Sequence, residues 1–299
     1  MARVGLVRFA RVALEVAEVV IPCYRRPRSK HVFTQPQLLA VLCVMRYDGW
    51  TFRDAELRLA EHRELRHALG LTRVPDHTTF WRFLDRLDPA VLERALAEID
   101  RRFGPPPGPR GVRALMLALD ASGLATSALS TFFVRREYDL KGQVRERAWW
   151  LKWVVVADLD RQLILAQTAH RAPTNDSRQL PTLLASPVVR RHAVAWVVAD
   201  KEFDSERNHR FIHDVLHAES AIPPRAMGKG GPPRTPHRAR MARAFPTAAY
   251  HRRVLIESLF SAAKRTQGGL APGRSERTQI MQALLFGLAH NLGRLRRAA

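Results

Sequence analysis

The stretch Ala114–Asp120, ALMLALD, is six apolar residues closed by a carboxylate. A short apolar run without alternation fits a strand buried on both faces. A second run of the same kind, Val194–Asp200 (VAWVVAD), also ends in aspartate. Between them, Trp149–Ala169 (WWLKWVVVADLDRQLILAQTA) reads as a hairpin turning at Asp158–Arg161. Asp176 reads as the N-cap of a helix in SRQLPTLLAS, with Gln179 completing a capping box and Pro181 tolerated near the first turn. A helix follows around Ser205–Ala218, then a short strand near SAIPPR, a helix over Tyr250–Arg265 and a last helix through IMQALLFGLAHNLGRLRR. This order predicts an α/β fold, a mixed sheet with helices on both faces. If the two Asp-ended strands are parallel neighbours, Asp120 and Asp200 project at one edge, where α/β sheets collect ligands. Either aspartate taken singly is more often a loop cap or a solvated turn residue.

The chain of 299 residues is long enough for a substantial core, and 46% of it is hydrophobic. Lys and Arg number 49 against 28 Asp and Glu, a net charge of +21. An excess that large points to a polyanionic partner, most simply nucleic acid, although a membrane surface also attracts cations. No apolar run is long enough to span a bilayer. The first twenty residues resemble a signal sequence only until Arg8, Arg11, Glu15 and Glu18 are counted, and an amphipathic helix is the better reading. Cys23 and Cys43, with no paired histidine spacing, support neither a zinc site nor a disulfide framework. A reducing cytoplasm is the expected location.

The clearest break is Phe103–Gly111, FGPPPGPRG, whose four prolines and three glycines read as a linker free of helix and strand. It divides a helical N-terminal domain (1–103) from residues 112–299, with 104–111 as the connection. In the first part Thr51 and Asp54 form a capping box opening TFRDAELRLAEH. Asp76 or Thr78 caps a helix with Phe80, Phe83, Leu84 and Leu87 inward and Arg82 and Arg86 outward. Helix, turn and basic helix suit a DNA-reading helix-turn-helix. A plain helical bundle with solvated arginines gives the same spacing and is commoner.

In Tyr250–Arg265, YHRRVLIESLFSAAKR, about 100° per residue places Tyr250, Arg253, Glu257 and Lys264 on one stripe. Leu255, Leu259, Ala262 and Ala263 lie opposite. An exposed helix with an Arg253–Glu257 ion pair explains the stripe by itself. With Asp120 and Asp200 at two strand ends, Glu257 becomes a third carboxylate for divalent cations, and Arg253, Lys264 and Tyr250 become phosphate ligands beside them. The preceding segment, Arg225–Phe245, carries Arg and Lys with no acidic residue and reads as a basic loop.

The stripe fills every position of Y-x2-R-x3-E-x6-K, and the chain thereby resembles the insertion-sequence DDE transposases of bacteria and archaea. ADKEFDS (Ala199–Ser205) resembles their second motif, an Asp followed by an aromatic–Asp pair, and LALDASG resembles the first. HVFTQPQLLA and VPDHTTFWRFLDRL are similar to their helical N-terminal domain. The resemblance covers nearly all of the chain from about Ser29. It implies an RNase H-like catalytic domain, a triad of Asp120, Asp200 and Glu257 holding two Mg²⁺ ions (Mn²⁺ substituting), and DNA contacts by Tyr250, Arg253 and Lys264, with Arg82 and Arg86 in the N-terminal part. It further implies binding of double-stranded terminal inverted repeats, metal-dependent strand cleavage and strand transfer, and a homodimer on paired ends. Asp204 is a reserve neighbour of the metal site, more in keeping with a structural role.

Some relatives clamp the DNA end with a β-rich insertion between the second Asp and the Glu, for which the interval here leaves no room. The basic loop Arg225–Arg243, or Trp149, Trp150 and Trp153, are the candidates to replace it. A domesticated protein that only binds DNA, a junction resolvase and a helix-turn-helix regulator are the rival readings. The complete triad and signature weigh against the first, the N-terminal helices and the Tyr-Arg-Glu-Lys set against the second, and no effector motif supports the third.

Overall fold

The computed structural model describes residues 5–26, 32–104, 107–108, 111–126, 136–138, 144–146, 150–171, 176–225 and 233–298. Six helices lead: α1 (Leu6–Val20), α2 (Gln35–Asp48), α3 (Phe52–Glu61), α4 (Arg63–Ala68), α5 (His77–Arg86) and α6 (Pro89–Phe103). α1 is amphipathic as its sequence predicts, with Phe9, Ala13 and Val16 buried and Arg8, Arg11, Glu15 and Glu18 exposed. α2 is buried almost all round, from Leu38 to Tyr47, the burial expected of a central helix. It opens with a Thr34/Gln37 capping box and closes on Gly49, whose φ of 74° suits a residue without Cβ. α3 opens with the predicted box: Asp54 N–H donates to Thr51 Oγ1 at 3.1 Å and Thr51 N–H donates to Asp54 Oδ2 at 2.9 Å. α5 is capped by Asp76 and buries Phe80, Phe83 and Leu84. The short helix α4 occupies the connection between α3 and α5.

One feature departs from the linker reading. β1 (Pro107–Gly108) and β2 (Gly111–Val112) pair antiparallel inside the Pro/Gly stretch. A two-residue ladder tolerates proline at its first residue. Residues 105–106 and 109–110 of that stretch lie outside the described ones.

The remaining elements are β3 (Leu115–Ala125), β4 (Arg136–Tyr138), β5 (Val144–Glu146), β6 (Trp150–Asp158), β7 (Leu163–Arg171), α7 (Gln179–Leu184), α8 (Pro187–Arg190), β8 (Val194–Ala199), α9 (Glu206–Arg210), β9 (Glu219–Ala221), α10 (Pro236–Arg243), α11 (Thr247–His251), α12 (Val254–Gln267) and α13 (Glu276–Ala298). The main sheet has the order β7-β6-β3-β8-β9. β7, β6 and β3 pair antiparallel, and β8 and β9 continue parallel to β3. This is the RNase H-like mixed sheet expected from the sequence. β4 and β5 form a separate small hairpin. The predicted cap at Asp176 is replaced by a 3₁₀ turn, Asp176–Arg178, before α7 starts at Gln179. Pro181 then sits in the first turn, where its missing N–H costs nothing.

The two faces of the sheet bury different partners. Leu117, Leu119, Val154, Val156, Val197 and Ala199 face a core shared with α7 and α8. Ala118, Leu124, Trp153, Val155 and Val198 face a larger core that α12, α13 and the N-terminal helices complete. α13 lies against α2, α6 and β7 and closes the edge of the sheet. Asn291 accepts from Ile164 N–H at 2.9 Å and donates to Ile164 C=O at 2.7 Å, satisfying a strand edge where the β6–β7 register shifts.

Trp153, one candidate for holding DNA, belongs to this core. It is fully buried, edge-on to Phe286 at 4.9 Å, and donates to Gln167 Oε1 at 2.9 Å. Trp150 is 38% exposed, and Trp149 lies outside the described residues.

Gln167 in turn donates to Leu284 C=O at 2.8 Å, and the helix comes that close because residue 287 is glycine. A Cβ there would overlap Gln167 Oε1 and meet Trp153 Cζ2 at 3.1 Å. Gly287→Ala therefore lowers stability by about 1–3 kcal/mol, overpacking outweighing the gain in helix propensity. Urea unfolding measures it, and an unchanged or raised midpoint contradicts this account of the seam.

Candidate active site

The register of β3 and β8 brings the first two carboxylates together. The last parallel pair is Leu119 with Ala199, so Asp120 and Asp200 are the next residue on each strand. Side chains alternate along a strand. Asp120 therefore shares the face of Ala118, and Asp200 that of Val198, which is the α12 side of the sheet. The expectation of two parallel neighbours with aspartates at one edge is met. One detail differs: β3 does not end at Asp120 but runs on to Ala125, because its antiparallel pairing with β6 continues past the end of β8.

α12 is laid along this edge and fixed at its far end. Ala125 N–H donates to Gly269 C=O at 2.9 Å, and Ala271 N–H donates to Ala125 C=O at 2.8 Å, stitching the residues after α12 to the end of β3. Ile256, Leu259, Phe260 and Ala263 form the buried side of α12. Leu255 and Ala262, assigned to that side by the helical wheel, are half-buried.

The single helix expected over Tyr250–Arg265 is interrupted. α11 ends at His251, Arg252–Arg253 form a turn, and α12 starts at Val254. Arg253 keeps helical angles (φ −55°, ψ −30°), so the stripe survives the break.

Arg253 joins the carboxylates. Its Nη1 donates to Asp120 Oδ2 at 2.6 Å and its Nη2 to Glu257 Oε1 at 2.5 Å. Its guanidinium also lies 6.0 Å from the centre of the Tyr250 ring. Lys264 is half-buried, one turn before the end of α12. The second oxygen of Asp120 accepts from Ala121 N–H at 2.8 Å, and Asp200 accepts from Glu202 N–H at 2.7 Å.

Burial raises the pKa of Asp120 to about 6. The Ala121 N–H and Arg253 oppose the rise, while Asp200 and Glu257 reinforce it. Burial also raises that of Asp200. Burial disfavours charge on Arg253, yet Asp120, Tyr250, Glu257 and Asp200 together raise its pKa.

The donor set suits a divalent cation. It consists of carboxylate oxygens only, as hard cations prefer, and two of the three carboxylates are desolvated enough to favour a positive partner. Among the described residues, three ligand atoms approach within 4.8 Å of one another only at Glu56, Asp76 and His77, far along the chain in α3 and α5. Those residues are otherwise engaged: Asp76 caps α5, and Glu56 binds the N–H and Nδ1 of His77 at 3.1 and 2.8 Å.

Asp204 is structural. Its side chain is fully buried and receives Arg238 Nε at 2.9 Å on both oxygens, Arg238 Nη2 at 2.7 Å and Arg225 N–H at 2.8 Å, with His209 Nε2 at 3.4 Å. Asp204 thus draws together the two ends of the basic segment, of which 226–232 lie outside the described residues. Glu206 accepts from His237 and Arg238 N–H, both at 3.2 Å, and starts α10. The stretch read as a basic loop is therefore helical from Pro236 to Arg243.

Sequence reasoning also missed Arg225, whose guanidinium donates to Lys201 C=O at 2.9 Å and Glu202 C=O at 3.2 Å beside Asp200. The signal was one Asp in the second motif facing an acid-free run of arginines. In the N-terminal part Arg82 and Arg86 are exposed on α5 as expected, and Trp81, just before Arg82, is 47% exposed.

The chain belongs to the family described as Transposase DDE domain, which matches residues 115–292. A second family, Transposase domain (DUF772), matches residues 9–86. No curated protein matches the sequence. Among solved structures, the Drosophila P element transposase strand transfer complex is 14% identical, with 70% of this chain and 46% of that chain covered and a TM-score of 0.34. The piggyBac transposase synaptic complex with hairpin DNA is 10% identical, with 75% and 50% covered and a TM-score of 0.34. The chain thus spans about half the length of those two transposases.

Burial works to raise the pKa of Asp204, but its hydrogen bonds from His209, Arg238 and the Arg225 N–H prevail and hold it at about 2. An unfolded chain takes up that proton near pH 4. The stability it contributes is complete above that pH and is lost as the pH falls towards 2. Asp204→Asn should cost about 3 kcal/mol at neutral pH by leaving Arg238 without its counter-charge. It should also flatten the acid limb of stability between those pH values. Urea midpoints across that range measure both effects, and an Asn variant as stable as the parent removes the clamp.

Proposed function

We propose that the protein is a DNA transposase that binds the terminal inverted repeats of an insertion sequence and catalyses strand cleavage and strand transfer. The observation that carries this reading is the placement of Asp120 and Asp200 side by side on the α12 face, with Glu257 tied to Asp120 through Arg253. Family membership supplies the class of chemistry.

Asp120, Asp200 and Glu257 would hold Mg²⁺, two ions in the full site, with Mn²⁺ as a substitute. When bound, such ions lower the pKa of an attacking water or hydroxyl and stabilise the departing oxygen. The residues of the chain hold the substrate. The Ala121 and Glu202 N–H groups fix one oxygen each of Asp120 and Asp200, so those carboxylates keep their orientation. Arg253 as a fork, Lys264 as a point charge and Tyr250 as a hydroxyl donor take phosphate oxygens. In hydrolysis, water oxygen attacks phosphorus, the P–O3′ bond breaks and the freed oxygen takes a proton as a 3′-OH. In transfer, that 3′-OH attacks a phosphorus of target DNA and a second 3′-oxygen leaves.

The division into residues 1–103, 104–111 and 112–299 is part of this reading. The N-terminal helices grip double-stranded DNA through α5, where Arg82 and Arg86 meet phosphates. Two copies act on paired ends, and the protein works at the nucleoid. Among the described residues no helix is long and apolar enough to cross a membrane. A protein retaining only sequence-specific DNA binding is the alternative.

Asp120→Asn, Asp200→Asn and Glu257→Gln should each abolish Mg²⁺-dependent cleavage of the flanking inverted repeat while end binding is largely retained, because Tyr250, Arg253 and Lys264 remain to take phosphates. Cleavage at the parental rate by any of the three overturns the assignment. If the parent itself binds ends but never cuts, the DNA-binding alternative holds. Arg82→Ala and Arg86→Ala should each reduce the salt slope of binding by about one.

A further inference from the structure

Arg253 touches two carboxylates at once, and an arginine that served only DNA would not need to. Its two terminal nitrogens reach Asp120 Oδ2 and Glu257 Oε1 at 2.6 and 2.5 Å. The guanidinium spans the gap between the strand carboxylate and the helix carboxylate. It is 22% exposed, sits at the turn between α11 and α12, and has the Tyr250 ring beside it. A cation held by those two carboxylates would compete with the guanidinium for the same oxygens. The planar fork that holds two carboxylates is also the shape that takes two oxygens of one phosphate.

We propose that Arg253 is a built-in lock on the metal site: in the DNA-free protein it occupies the bridging position between Asp120 and Glu257, and a DNA phosphate opens the site by taking the arginine for itself. This rests on the assignment of Asp120, Asp200 and Glu257 as metal ligands. Under it, the DNA end and the metal bind with positive coupling, since each favours the arrangement in which Arg253 has left the carboxylates. The turn at Arg252–Arg253 supplies the freedom for the side chain to move without unwinding α12. Metal loading in the absence of DNA is thereby restrained.

The test is Mn²⁺ binding to the full chain without DNA, read from the EPR signal of free Mn²⁺ and from the thermal shift that Mn²⁺ produces. Arg253→Gln should bind Mn²⁺ about tenfold or more tighter than the parent and gain the larger thermal shift. Arg253→Lys, whose single ammonium cannot span both carboxylates, should fall between them. It also serves as the reference if the Gln variant melts early. Asp120→Asn added to Arg253→Gln should remove the gain. If Arg253→Gln and Arg253→Lys bind Mn²⁺ no tighter than the parent while Asp120→Asn still abolishes binding, the lock is overturned and the metal site stands. If Asp120→Asn leaves Mn²⁺ binding unchanged in every background, the metal assignment fails and the lock with it.

Discussion

The parallel pairing of β3 with β8, in register Leu119 against Ala199, is the constraint on which the rest of the arrangement depends. A shift of one residue would turn Asp200 to the other face, into the apolar core of Leu119, Val197 and Ala199. Burying an unpaired carboxylate there costs several kcal/mol, so the hydrophobic pattern itself enforces the register. The same alternation that sorts the apolar residues into two cores brings both aspartates to the face that α12 covers. Packing and site geometry are therefore one requirement.

The second carboxylate cluster, around Asp204, shows how environment separates residues of one type. Asp120 is desolvated with one arginine, two carboxylates and one N–H around it, and its pKa rises to about 6. Asp204, whose side chain is fully buried, is met by Arg238 on both oxygens, a backbone N–H and a histidine, and its pKa falls to about 2. The first is left partly unsatisfied and suits a cation; the second is saturated and acts as a cross-link. Asp204 lies four residues after Asp200, and it orders α10 next to the segment that leads into Arg253.

Much of this was legible in the sequence, and the parts that were not share a cause. The strand leading up to Asp120, Val194–Ala199 and the β6–β7 hairpin are local apolar runs, so pattern alone located them, whereas the extension of β3 to Ala125 depends on pairing with β6. The capping box at Thr51 and the N-cap at Asp76 were equally local. α10 was misread because proline, glycine and arginine argue for a loop, whereas Glu206 and Asp204, some thirty positions earlier, supply its cap and anchor. The break at Arg252–Arg253 was hidden because the helical wheel stays in phase through it. Trp153 was offered as a DNA contact because a strand tryptophan has no local mark of burial; Gln167 and Phe286, which enclose it, come from two other elements. The triad could be nominated from spacing, but the arginine spanning Asp120 and Glu257 required the fold.

The position of α12 is settled from both ends. At its start Arg253 ties it to Asp120. At its finish Arg46, buried in α2 with its pKa lowered by desolvation to about 10, donates to Gln267 C=O at 3.2 Å and stacks over Phe286 at 5.0 Å. A cation at a helix C-terminus satisfies a carbonyl that the helix cannot, and it favours the dipole. Arg46 thus carries the last turn of α12 on the central helix of the N-terminal part, while the Ala125–Gly269 hydrogen bond holds the following loop to β3. Glu257 is placed by a helix suspended between the sheet and the N-terminal helices. The two matched regions consequently share a core instead of being joined only through residues 104–111: a displacement of α2 is felt at the end of α12, three turns from the carboxylate that Arg253 ties to Asp120.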